Sequence, residues 1–248
     1  MIRLLQGILR KIGERVCKTD SKLFTLYLRK CGATVGEGTR FFGSVEIDLT
    51  RPCLVEIGRN CVFTDGVKVL THGYDWTVLR EKYHEMLSSS GKVMIEDNVF
   101  IGTNSIILKG VRIGENTIIG AGSVVTHNIP SDSVAVGNPC EVQISLAEYY
   151  KKRKKMHVEE AKAYALEIYR KTGRSPKLED FWEEFPLFLR PNEYWGRLPV
   201  KSQLGTALDA FLKSESLYKS FRDFLIDAGV PVKEVDKSLN KTKQLKDE

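Results

Sequence analysis

A strict six-residue period between Ile95 and Pro130 constrains this chain more than any other feature of its sequence. Every sixth residue in this stretch is aliphatic and β-branched: Ile95, Ile101, Ile107, Ile113, Ile119 and Val125. The residue four places after each of these is Val, Ser, Thr or Ile. A helix repeats near 3.6 residues and a strand at 2, so neither alone explains a fixed period of six. A short strand followed by a turn, repeated in register, does explain it, and the pattern predicts a parallel β-helix with a stacked aliphatic interior.

The same register can be followed outside this stretch, with two interruptions. Hexads begin at Val35, shift register over residues 51–54 and resume at Ile57. From about residue 73 to 91 the period is lost and the sequence is polar and aromatic, which predicts a loop ejected from one corner. Long loops in compact folds are usually either functional or disordered. Regular hexads return at Val93, and turn residues end the repeat after Pro130.

The flanking sequences have a different character. Residues 1–30 are predicted to be helical with a basic polar side, either capping the open first coil or meeting anionic lipid. Ser145 and Glu148 form a capping-box pattern that opens a long helix, and Ser175-Pro176 opens another. The expected domains are therefore an N-terminal helical segment (1–30), a β-helix (31–144), a helical C-terminal region (145–230) and a flexible tail (231–248).

Composition narrows the class of protein. Lys and Arg outnumber Asp and Glu by 38 to 32, so the net charge of +6 favours anionic partners only weakly, and no nucleic-acid partner is expected. The five cysteines are odd in number and contain no Cys-x-x-Cys pair, which argues against a disulfide framework and a cysteine zinc site. A reducing, cytoplasmic setting is expected. Arg3, Arg10 and Lys11 interrupt any signal-peptide core, and no apolar run reaches membrane-spanning length.

The hexads, and the run from Ile95 to Gly102 that follows the interruption, resemble the hexapeptide-repeat acyltransferases, including the galactoside, maltose and xenobiotic acetyltransferases. The resemblance covers about residues 35–142. It implies a mainly β fold, a left-handed parallel β-helix, here with an N-terminal helical segment and a C-terminal α-helical extension. It also implies acetyl-CoA as co-substrate, no metal, and a homotrimer whose active sites lie between subunits.

His72 is the candidate general base, because the repeat is interrupted directly after it. A histidine at the rim of a rigid scaffold and beside a long loop is well placed for proton transfer, and in the resembling enzymes the catalytic histidine lies at this break. The group that orients its ring is left open between Asp75, Asp65 and a backbone carbonyl. The candidate acceptor-binding residues are Asp65, Asp75, Trp76 and His84.

The positions that match the family's coenzyme A contacts are Gly102, Thr103, Gly120, Ala121 and Thr126. The chain departs from the family pattern at two places, since His127 and Glu141 stand where a basic residue is common. The 3′-phosphate of the cofactor could therefore meet the basic run at residues 151–155, which is equally typical of a solvated helix face.

The expected function is acetyl-CoA-dependent O-acetylation of a sugar hydroxyl in a bacterial surface polysaccharide or its precursor, at the cytoplasmic side and with weak membrane-surface association through the basic N-terminal helix. The alternatives are a xenobiotic (chloramphenicol or streptogramin) acetyltransferase and a sugar N-acetyltransferase. A γ-class carbonic anhydrase needs three converging histidines, whereas residues 95–126 contain none. A purely structural β-helix is the remaining possibility.

Overall fold

The computed structural model describes residues 20–190, 195 and 198–232. The chain divides into two compact units between Lys151 and Lys152. The predicted helix over residues 1–19 and the tail from residue 233 lie outside the described residues.

The first unit is a left-handed parallel β-helix built from short strands. Its strands are β1 (Thr34–Val35), β2 (Arg40–Phe41), β3 (Glu46–Ile47), β4 (Val55–Ile57), β5 (Val62–Phe63), β6 (Lys68–Val69), β7 (His72–Gly73), β8 (Ser89–Ser90), β9 (Val93–Ile95), β10 (Phe100–Ile101), β11 (Ile106–Ile107), β12 (Arg112–Ile113), β13 (Ile118–Ile119), β14 (Val124–Val125), β15 (Ser133–Val136) and β16 (Glu141–Ser145). Three sheets form the sides of the prism. Sheet A has the order β1-β4-β9-β12, sheet B has β2-β5-β10-β13-β15-β16, and sheet C has β3-β6-β11-β14.

The register of sheet A measures the length of each coil. Val35 pairs with Ile57, Ile57 with Ile95, and Ile95 with Ile113, so successive coils are 22, 38 and 18 residues long. The last value is three hexads. The extra residues of the first coil include a 3₁₀ turn at Pro52–Leu54, and those of the second coil form the excursion that follows His72. The two longer coils coincide with the two interruptions of the sequence repeat.

The interior is the aliphatic column that the six-residue period predicts. Ile101, Ile107, Ile113 and Ile119 are fully buried. The smaller residue four places later also faces inward: the Ser105 hydroxyl donates to the carbonyl of Gly120 at 3.0 Å. Such a bond satisfies a buried corner carbonyl that the parallel ladder leaves unpaired.

Helix α1 (Ser21–Cys31) covers the first coil. The Asp20 carboxylate caps it by accepting the amides of the first turn, and Phe24 and Leu28 are buried. The ring of Phe24 meets that of Phe41 in β2 edge-on at 5.1 Å. For the described part of the N-terminal segment, this packing supports the capping alternative.

The excursion over residues 73–91 is more ordered than the predicted loop. Strands β7 and β8 pair antiparallel at its base, and helix α2 (Trp76–Tyr83) occupies its middle. The sequence predicted a loop ejected from one corner but not this helix and strand pair, because the six-residue period carries no information about residues that leave the coil. No helix among the described residues is long and apolar enough to cross a membrane.

Helix α3 (Leu146–Thr172) begins at the predicted capping box, since the Ser145 hydroxyl accepts the Glu148 amide and the Glu148 carboxylate accepts the Ser145 amide. The second unit contains most of α3 and the short helices α4 (Val200–Leu204), α5 (Leu208–Leu212) and α6 (Phe221–Asp227). The helix predicted after Pro176 is wrong: the chain forms 3₁₀ turns at Leu178–Asp180 and Phe185–Leu187. These turns bury Phe181, Phe185 and Phe188.

Candidate active site

His72 lies where the chain leaves sheet C. Two residues separate it from the end of β6, and it pairs through β7 with Ser90 of β8. The Gly91 amide donates to the Thr71 carbonyl at 2.9 Å, so both ends of the excursion are joined by backbone hydrogen bonds at this point. The side chain of His72 is only 15% exposed. The backbone on both sides therefore holds the imidazole in one place.

Asp48 orients the imidazole. It follows β3 in the preceding coil, where Ile47 pairs with Val69 of β6. Its Oδ2 lies 2.6 Å from Nδ1 of His72. The partners offered by the sequence are engaged elsewhere: Asp75 accepts the Ser89 hydroxyl at 3.1 Å and Asp65 accepts the Ser44 amide at 2.5 Å. Sequence reasoning missed Asp48 because its proximity to His72 depends on the 22-residue length of the first coil.

Four further donors surround the Asp48 carboxylate. Oδ1 accepts the amide of Thr50 at 3.0 Å and its hydroxyl at 2.6 Å. Oδ2 accepts the amide of Thr71 at 3.1 Å and its hydroxyl at 2.5 Å. Burial alone would raise the pKa of Asp48, but these hydrogen bonds outweigh it and hold the pKa well below the usual range of an aspartic acid. Asp48 is therefore ionised at neutral pH.

An ionised carboxylate can only accept, so the nitrogen that it contacts must carry a proton. Nδ1 of His72 is then the donor, so in the neutral imidazole it is Nε2 that has the lone pair and can take a proton from another molecule. An open groove of about 660 Å³ adjoins this pair. The groove is lined by Glu46, Ile47, Asp48, Val69, Leu70, His72, Gly73 and Tyr74. The arrangement can act as a general base towards a ligand bound in the groove.

The predicted cofactor-binding glycines lie on two stacked turns that lead into sheet C. Gly102 follows β10 and Gly120 follows β13. A Cβ on Gly102 would lie 2.5 Å from the Ala121 amide nitrogen, so the stacking of coils by itself requires glycine there. Thr103 and Ala121 are exposed on these turns, and within the described residues neither amide donates a hydrogen bond to protein. Free amides of this kind suit the amide carbonyls of a pantetheine arm.

Thr126 is separated from these turns by β14. It follows that strand at the same edge of sheet C as His72, which follows β6. Its hydroxyl lies 3.1 Å from Nδ1 of His127, whose Nε2 lies 3.6 Å from Glu141. His127 and Glu141, the two residues that depart from the family pattern, therefore lie close to each other. The basic residues 151–155 lie on α3, where Arg153 pairs with Glu160.

Three of the four predicted acceptor-binding residues lie on the excursion. Asp75 directly precedes α2, Trp76 opens it beneath the guanidinium of Arg80 at 5.4 Å, and the exposed His84 ends it in a left-handed conformation. Asp65 instead lies on the turn before β6, where its carbonyl accepts the Asn104 amide. It thus belongs to the same stack of turns as the cofactor candidates, away from His72.

The chain is similar to several known proteins. The family described as "Bacterial transferase hexapeptide (six repeats)" matches residues 92–127. Protein CapG of Staphylococcus aureus is 39% identical over 56% of this chain and 85% of its own length. The galactoside O-acetyltransferase of Lactococcus lactis is 32% identical over 57% of this chain and 66% of its own. A solved galactoside acetyltransferase in complex with coenzyme A is 27% identical over 58% of this chain and 80% of its own, with a TM-score of 0.41.

The coiled repeat and these sequence relatives define a transferase of the hexapeptide class. The putative acetyltransferase YvoF of Bacillus subtilis is 32% identical, and the chain spans 70% of its length. The chain belongs to the hexapeptide-repeat acetyltransferases, and it is an acetyl-CoA-dependent acyltransferase. Among the described residues, no group of three or more His, Cys, Asp or Glu side chains is arranged to hold a metal ion.

Proposed function

We propose that this enzyme transfers the acetyl group of acetyl-CoA to a sugar hydroxyl of a bacterial surface polysaccharide or its precursor, with His72 as general base. The observation that carries the proposal is the 2.6 Å contact between His72 and the ionised Asp48 at the edge of an open groove. The sugar acceptor is supported by the relatives whose names give galactosides as their substrates.

The reaction follows from the tautomer of His72. Nε2 removes the proton from the acceptor hydroxyl while the oxygen attacks the thioester carbon. Negative charge then develops on the carbonyl oxygen and requires hydrogen-bond donors close by. When the tetrahedral intermediate collapses, the C–S bond breaks, and the proton passes from Nε2 to the leaving thiolate. Asp48 stabilises the imidazolium between these two steps, and no bond to the protein forms.

The proposed assembly is a homotrimer with coenzyme A between subunits, on Gly102, Thr103, Gly120, Ala121 and Thr126. Exposed apolar side chains on the β-helix support it. Phe100 lies in β10 of sheet B, Phe42 directly follows β2 and Leu70 directly follows β6, and all three are exposed. Exposed apolar surface is typical of interfaces. A monomer by light scattering, with full activity, would contradict the assembly.

The remaining assignments rest on the sequence. Asp75, Trp76 and His84 are proposed to contact the acceptor from the excursion, and Asp65 from the stacked turns. We place the reaction in the cytoplasm, where acetyl-CoA is made. Membrane association through the N-terminal helix stays a prediction, because residues 1–19 lie outside the described part of the chain.

The test is an acetylation assay that follows thiol release and product mass. Acetyl-CoA is combined with methyl glycosides, polysaccharide fragments, amino sugars and chloramphenicol. His72→Ala should lower turnover by at least about a hundredfold, the usual contribution of a general base. Coenzyme A should still raise its melting temperature, because the substitution leaves the coils unchanged.

The matched control is His157→Ala, which removes an exposed histidine of α3 and should leave turnover unchanged. Wild-type activity in the His72 variant would refute the assignment of the base. Turnover of the drug or of amino sugars alone would refute the sugar hydroxyl as acceptor.

A further inference from the structure

Tyr74 presents an exposed aromatic ring beside the proposed base. The centroids of the Tyr74 and His72 rings are 5.0 Å apart, with the planes inclined at 66°. Tyr74 lines the same groove as His72, yet it is 66% exposed. A ring so exposed contributes little to the core, and its face is accessible to a ligand in the groove.

The backbone that carries this exposed ring is ordered. The Tyr74 carbonyl accepts both the amide of Thr77, at 3.1 Å, and its hydroxyl, at 2.9 Å. On the other side, Gly73 pairs with Ser89 in the ladder at the base of the excursion. The ring is therefore carried by an ordered turn between β7 and α2. Because the backbone is already ordered, only the side-chain torsions of Tyr74 lose freedom when a ligand binds to the ring.

The rest of the groove matches the two sides of a pyranose. A pyranose has faces of C–H groups and a rim of hydroxyls. C–H groups carry partial positive charge and are attracted to the negative face of an aromatic ring. Leu70, 37% exposed, adds apolar surface to the groove, and Glu46 adds a carboxylate that can accept from a hydroxyl. His72 lies in the same groove as these groups.

We propose that Tyr74 is the stacking platform for the acceptor sugar, and that it determines which hydroxyl reaches Nε2 of His72. This inference rests on the proposed sugar acetylation. Stacking brings one C–H face of the pyranose onto the ring and directs its rim towards the base. The ring thus determines acceptor affinity and has no part in binding the cofactor.

The test uses three variants and a methyl glycoside that the wild-type enzyme acetylates. Tyr74→Leu keeps an apolar side chain without the ring and should raise the KM for the glycoside about tenfold, with the KM for acetyl-CoA unchanged. Tyr74→Phe keeps the ring and should stay within about threefold of the wild type. Tyr83→Leu is the matched control, because Tyr83 is 59% exposed at the far end of α2, and its kinetics should not change.

Several outcomes would overturn the inference. An unchanged glycoside KM in Tyr74→Leu would exclude stacking. An equal rise of the glycoside KM in the Phe and Leu variants would assign the effect to the tyrosine hydroxyl. A raised KM for acetyl-CoA would assign the ring to cofactor binding. A second variant without the ring, Tyr74→Asn, replaces Tyr74→Leu if that protein fails to fold. If the wild type acetylates no glycoside, the proposed function itself has failed. If it does and Tyr74→Leu is unaffected, only this inference has failed.

Discussion

Replacing Asp48 by Asn tests whether the carboxylate holds His72 in its reactive tautomer. The side chain keeps its shape, but one of its two oxygens becomes an amide that donates. In the native protein Oδ1 accepts from Thr50, while Oδ2 accepts from Thr71 and contacts Nδ1 of His72 at 2.6 Å. Every polar contact of the carboxylate is made with a donor, so the new amide must face a backbone amide in either orientation.

The size of the loss in kcat/KM depends on which orientation the asparagine side chain of the variant adopts. If the amide faces Thr50, His72 keeps its acceptor but loses a charge-assisted hydrogen bond, worth roughly 1.5 kcal/mol more than a neutral one. That loss corresponds to about a tenfold fall in kcat/KM. If the amide faces His72, the proton moves to Nε2, and the wrong tautomer costs up to about 10⁴ in a Ser-His-Asp triad. We therefore expect at least a tenfold loss.

The assay is initial-rate kinetics of acetyl transfer between about pH 5 and 9. Because the pKa of Asp48 lies well below its usual range, wild-type Asp48 stays ionised throughout, and the loss in the variant should persist at every pH. Asp97→Asn is the matched control, since Asp97 also accepts several hydrogen bonds, from Arg59 on another corner. Wild-type kcat/KM in Asp48→Asn would refute the reasoning.

Three further perturbations test the fold. Gly102→Ala should lower the free energy of unfolding by roughly 1–3 kcal/mol, and with it the melting temperature, because the added Cβ would lie 2.5 Å from the Ala121 backbone. An unchanged melting temperature would show that the stacked turns can move apart to accept the methyl group. Phe24→Ala should lower the free energy of unfolding, measured by urea unfolding, by about 3–5 kcal/mol, because it leaves a cavity between α1 and the first coil. A loss below 1 kcal/mol would contradict the capping role. Burial, together with the hydrogen bond to Asp227, raises the pKa of Tyr218 to about 12, so its stabilising contribution is full below pH 10 and is lost as the pH rises towards 12. Tyr218→Phe should weaken this alkaline destabilisation, and an identical pH dependence in both proteins would contradict it.

The repeat shows what could be predicted locally. The inward position of Ile101 and Ile107 follows from the six-residue period, because the strand and turn of each hexad lie within a few residues of each other. The capping box at Ser145 is equally local. His72 could be singled out for a related reason, since the interruption of the period marks the site in the sequence itself.

The excursion and the second unit show where local patterns fail. Helix α2 lies in a segment without a clear apolar stripe. The ends of the excursion are joined by pairing of Gly73 with Ser89 and of His72 with Ser90, which are 16 and 18 residues apart. After Pro176, the chain forms 3₁₀ turns around a cluster of phenylalanines. Proline removes backbone donors, and tertiary packing of the aromatic rings then outweighs helix propensity.

The sequence by itself determined the coiled scaffold, its inward column and the position of the candidate base, because all three depend on short-range periodicity. Only the tertiary structure decided the partner of that base. Asp48 and His72 are 24 residues apart and meet because Ile47 of β3 pairs with Val69 of β6, across a coil four residues longer than three hexads. Coil length is a sum over every turn in the path, so it becomes visible only when the strands of sheet C are paired.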